Sequence, residues 1–137
     1  MNKRALLYFI ISIVIASCTP KPEIQVYDSL EIGLGKRYSN YVSKLNFSVV
    51  GDTVALYEFL TYKDLYDGAA YDHGWVLIEL MRELGDEAFA NELSKMNVEA
   101  ISTLKMYFSG GLDVHKQANE LLKKYPNSFK VLGIESE

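Results

Sequence analysis

The chain has 137 residues, enough for one domain around a single core, with 49% hydrophobic and 23% charged residues. Its formal net charge of −4 excludes a general nucleic-acid binder, which needs a basic stripe to pair with phosphates, yet is too small for a disordered polyanion. A single cysteine excludes an internal disulfide and a thiolate zinc site.

The first element is an address. Lys3 and Arg4 precede an uncharged apolar run over residues 5–16, the arrangement of a signal peptide. The 14 uncharged residues from 5 to 18 fall short of the roughly 18–20 that a spanning helix needs. The run ends in Ile15-Ala16-Ser17-Cys18: an aliphatic residue, two small residues, then the only cysteine of the chain. That tetrapeptide resembles the lipobox of bacterial lipoproteins. The resemblance implies cleavage before Cys18, diacylglycerol on its thiol and an acyl chain on the new amine. Cys18 is the expected lipidation site, and these acyl groups are the only cofactor-like groups expected. Thr19, where an aspartate would signal retention, implies the outer membrane if the cell has one. The mature chain would carry 12 basic and 18 acidic residues, a net charge of −6 that is mildly repelled by an anionic leaflet. Residues 18–26, with Pro20 and Pro22, read as an extended tether, and 27–137 as one domain.

Helical periodicity dominates that domain, and the spacing predicts an all-α compact bundle of about five short helices. Tyr27, Leu30, Leu34, Tyr38, Tyr41, Val42 and Leu45 recur at helical spacing, weakened by Gly33 and Gly35. Residues 47–57 read as a helix capped by Asp52 or Thr53, with a small hairpin near residue 50 as the alternative. Asp72 is the expected cap of a helix from Gly74 to Leu84, apolar around most of its circumference and therefore central. Gly85 is expected to stop it. Phe89, Leu93 and Met96 mark the next helix; Asn97 caps another, which Gly110-Gly111 is expected to end. Asp113 is expected to cap the last helix and Pro126 to stop it.

Chemistry is sparse. Asp64, Asp67, Asp72 and His73 would suit a divalent metal if they converged, but their spacing matches no calcium loop and read more simply as caps and solvated carboxylates. His115, near Asp113 and Asn119, has no evident nucleophile beside it. No metal site and no catalytic residue is expected, and the pattern leans away from an enzyme. Tyr57, Tyr62, Tyr66 and Tyr71 fall close together, and tyrosine suits interfaces because it brings broad contact area and a polar tip at small entropic loss. These four form the expected binding surface. The expectation is a lipid-anchored binding module of the cell envelope, of an immunity or accessory kind. It would meet the membrane through its lipid, with a protein partner and no nucleic acid. A small envelope hydrolase and a non-binding assembly lipoprotein are the alternatives.

Overall fold

The computed structural model describes residues 23–135. Cys18, the expected signal segment before it and the first part of the expected tether lie outside the described residues. The described residues fold into α1 (Asp28–Leu34), a 3-10 turn (Gly35–Arg37), α2 (Tyr38–Val49), α3 (Thr53–Leu60), α4 (Asp67–Leu84), α5 (Asp86–Leu93), α6 (Val98–His115), α7 (Ala118–Lys124) and α8 (Pro126–Leu132). The all-α bundle expected from periodicity is what forms, enlarged by the seven-residue helices α1, α7 and α8.

Local chemistry accounts for several boundaries. Asp52 Oδ1 accepts the N–H groups of Val54 and Ala55 at 3.0 and 2.9 Å, which starts α3 and makes 47–57 a helix–turn–helix. Such a cap contributes about 1 kcal/mol. The hairpin alternative fails for that reason, and no strand occurs among the described residues. Asn97 caps α6 through Ala100 N at 2.8 Å, and Gly85 ends α4 with φ 83°.

Three other expected boundaries are displaced. Helix α4 begins at Asp67, so Asp72 lies inside it and takes the Ser29 hydroxyl of α1 instead of capping. Helix α6 runs through Gly110 and Gly111 to His115 and ends where Lys116 turns left-handed, so Asp113 caps nothing. Pro126 opens α8 at its first position, where its missing N–H is harmless, rather than merely stopping α7.

The glycines explain the longest displacement. Helices α4 and α6 form the principal contact of the bundle. A Cβ on Gly74 would stand 1.9 Å from the Tyr107 carbonyl oxygen, and one on Gly111 2.6 Å from the Gly74 carbonyl carbon. The two helices therefore touch backbone to backbone. Around this seam α4 is buried on nearly every side, with Val76, Leu77, Ile78, Leu80 and Met81 wholly inside. Glu79 and Arg82 form its polar edge and pair at 2.6 Å.

The core has two aromatic ends. At one, Tyr41, Phe59, Tyr62 and Tyr107 surround His73. At the other, Phe108 of α6 meets Phe89 of α5 and Phe129 of α8, each edge-on at 6.0 Å. Asp86 locks that second end. It lies in the first turn of α5, but its carboxylate accepts the N–H groups of Asn127 and Ser128 at 3.0 and 2.8 Å, capping α8 from across the fold. Burial alone would raise its carboxyl pKa; the hydrogen bonds from Ser128 and Asn127 outweigh it and hold the pKa below the usual value. Asp86→Ala is expected to destabilise the domain by about 1–2 kcal/mol. Hydrogen exchange should then accelerate first in 126–132; uniform acceleration throughout the domain would count against a local cap.

Candidate functional site

A surface groove of about 580 Å³ lies where the loop 63–66 and the start of α4 meet the middle of α6. That volume is in the range of small-ligand and peptide-side-chain sites. Tyr66, which is 73% exposed, and Tyr71, half exposed, line it together with Met106. Gly110 makes room for the Tyr71 ring, since a Cβ there would lie 2.8 Å from Tyr71 Cδ1. The loop bends sharply: Asp64 and Asp67 both have left-handed backbones, at φ 64° and 49°. Such geometry in non-glycine residues carries strain of about 1–3 kcal/mol each.

The four tyrosines expected to form one surface have different positions. Tyr66 and Tyr71 share the groove. Tyr62 lines a smaller hollow of about 350 Å³, which adjoins the groove through Lys63, Glu99 and Thr103. It is bound into the fold, with its ring edge-on to Tyr41 at 5.2 Å and the cations of Arg37 and Lys44 each 5.9 Å from its centroid. Tyr57, on α3, lines neither hollow.

The residues weighed for metal or catalytic chemistry are dispersed. Asp64 and Asp67 border the groove, Asp72 holds Ser29, and His73 is in the core. No group of three or more His, Cys, Asp or Glu among the described residues is placed to hold a metal ion. His115 lies flat on Trp75, with centroids 3.7 Å apart and planes at 18°. Arg82 lies near the same indole, at 5.2 Å. His73 and Trp75 are two residues apart on α4, which places them on opposite sides of the helix. The two imidazoles therefore serve different packings and do not share a cleft.

His73 is the electrostatic outlier that sequence reading assigned to a loop. Its side chain is wholly buried, and Nδ1 is 2.8 Å from the Tyr41 hydroxyl. Whichever tautomer the ring adopts, Nε2 has no hydrogen-bond partner. Burial pushes the pKa of His73 down to about 3. Burial also pushes the Tyr41 phenol well above its usual value, with smaller contributions from Tyr62, Tyr38 and Asp72. Both groups are neutral near pH 7, so this is a packed polar pair rather than a charge relay. The sequence signal for it is slight: His73 stands immediately before Gly74, where the spacing predicts the helix to begin.

The groove floor is Tyr107, only 3% exposed, whose hydroxyl accepts the Leu65 N–H at 3.3 Å. Sequence reading missed it, because a tyrosine inside the α6 stripe looks like core. Its phenol is raised above the usual pKa chiefly by burial. The groove is thus a surface of exposed aromatic rings above a fixed hydroxyl, edged by carboxylates. Compared with protein-family models, with curated proteins and with solved structures, the chain finds no match.

Proposed function

We propose that this chain is a lipid-anchored binding module of a bacterial cell envelope, fixed to a membrane by acyl chains on Cys18 and holding a protein partner in the Tyr66–Tyr71 groove. The observation that carries the binding half is the exposure of Tyr66, Tyr71 and Met106 around one hollow. Exposed rings gathered at a concave site are the usual makings of an interface. The anchoring half rests on Ile15-Ala16-Ser17-Cys18. No helix among the described residues is long and apolar enough to cross a membrane, so under this reading the lipid does the attaching.

Under this reading the segment that follows the anchor and the groove involve different residues. Residues 23–26 lie beside Tyr38, Val42, Leu45 and Asn46 of α2, and none of those residues lines the groove. Two acyl chains make attachment durable, at about 0.8 kcal/mol per buried CH₂.

Two substitutions test the two halves separately. Cys18→Ser should abolish labelling by an alkyne fatty acid and leave the chain unprocessed or released; a processed form that stays on the membrane would falsify the anchor. Tyr66→Ala with Tyr71→Ala should remove a discrete cross-linked protein recovered from detergent-solubilised envelopes, while Tyr57→Ala leaves it in place. Truncating two interface tyrosines weakens binding by about 2–4 kcal/mol. An unchanged cross-link in the double variant, with its melting curve intact, would sink the groove as the binding site.

A further inference from the structure

The character of the groove edge goes beyond its aromatic lining. Asp64, Asp67 and Glu99 stand around it against a single ammonium, that of Lys63. None of the three carboxylates takes part in an ion pair among the described residues, whose pairs are Lys44–Glu58, Arg82–Glu79 and Lys95–Glu92. Arg37 reaches Asp64 only at the backbone carbonyl oxygen, 3.4 Å away. Helix geometry explains part of this pattern, since Asp67 and Glu99 lie in the first turns of α4 and α6, where the helix dipole favours an anion. It does not explain Asp64, which is outside any helix and in a left-handed conformation that costs stability.

A second observation is independent of charge. Tyr107 forms the groove floor, and its hydroxyl, which accepts from Leu65 N, retains a proton that it can donate. A backbone carbonyl of a peptide crossing the groove floor would accept that proton.

We infer that the groove is built for a basic protein segment, whose Lys or Arg cation sits among Asp64, Asp67 and Glu99 while its aliphatic stem lies against Tyr66 and Tyr71. This rests on the groove being the binding site, and names the partner class. Carboxylates at the rim give direction and encounter rate, and rings within about 6 Å of a cation add attraction that water screens poorly. The acidic surplus of the chain acts in the same sense at long range.

The test is selection of a random dodecapeptide library on the full chain held in detergent micelles. The enriched pool should be rich in Lys and Arg with apolar neighbours. Its binding should fall at least about tenfold in Asp64→Asn/Asp67→Asn/Glu99→Gln, and again between about 0.05 and 0.5 M salt. Asparagine tolerates the left-handed backbone at 64 and 67, and Glu99→Gln alone serves as the second variant if the triple one melts early. A pool with no basic enrichment, yet lost in Tyr66→Ala/Tyr71→Ala, overturns the basic specificity and leaves the groove standing. A pool bound equally by both variants overturns the groove reading as well.

Discussion

Gly74→Ala is expected to destabilise the domain by about 3 kcal/mol or more, the upper part of the range for overpacking a core and beyond. The reason is what the new methyl group meets. Its neighbour is the Tyr107 carbonyl oxygen at 1.9 Å, which is backbone and has no rotamer to escape into. To restore ordinary contact near 3.4 Å, α4 and α6 have to part by roughly 1.5 Å along the principal seam of the bundle. Gly111→Ala meets the same seam from the other helix, at 2.6 Å from Gly74 C and 2.7 Å from Trp75 N. The competing effect has the opposite sign. Replacing a helical glycine by alanine gains about 1 kcal/mol of propensity. Packing exceeds propensity at 74 and 111 and not at 110, where the obstacle is the half-exposed Tyr71 ring, free to swing outward. The expected ranking by urea denaturation is therefore Gly74→Ala and Gly111→Ala strongly destabilised, with Gly110→Ala near or above the parent. A loss of 3 kcal/mol corresponds to a fall of roughly 10–20 °C in Tm for a domain of this size. Stabilisation by all three would mean that these glycines do not set the helix spacing.

The same residues show where sequence reading stopped. Asp52 and Asn97 were legible as caps because the side chain and the N–H it accepts lie within three residues of each other. The apolar circumference of 75–84 was legible because periodicity records burial directly. Gly110-Gly111 was misread as a stop because nothing local separates a glycine that ends a helix from one that lets another helix approach; the evidence sits in Gly74, a distant part of the chain. The role of Asp86 is not legible locally, because its partners lie 41 and 42 residues away. The helix start at Asp67 was hidden by Gly68 and Gly74, whose poor propensity is overridden by burial of Ala69 and His73. For the candidate site, residue type pointed to the right tyrosines and could not sort them. Which of the four share a hollow depends on where α4 starts and on Gly110 leaving space for Tyr71.

Lowering the pH from 6.5 toward 3 is expected to remove about 5 kcal/mol of stability through His73 alone, near 1.4 kcal/mol per pH unit. The sign follows from the pKa, which is about 3 in the folded chain against 6.5 for an unperturbed histidine. Between those values the unfolded chain binds a proton that the folded chain refuses, so stability is full above pH 6.5 and is lost as the pH falls toward 3. Asp86, whose pKa is also held below its usual 3.8, adds to the loss only at the acid end. The window from about pH 6.5 to 4.5 therefore reports largely on His73. The partner variants separate burial from hydrogen bonding. Tyr41→Phe leaves both ring nitrogens of a buried imidazole without protein partners and should cost about 1–3 kcal/mol at pH 7. Tyr41→Phe with His73→Phe replaces both polar groups by rings of similar shape, packed among Phe59, Tyr62 and Tyr107. That double variant should match or exceed the parent at pH 7, because the orphaned Nε2 is removed along with its partner. Its stability should also be flat across the window in which the parent declines. A double variant that keeps the parent's slope would show that another group binds the proton, and a double variant much weaker at pH 7 would show that the Tyr41–His73 bond stabilises the core more than its desolvation costs.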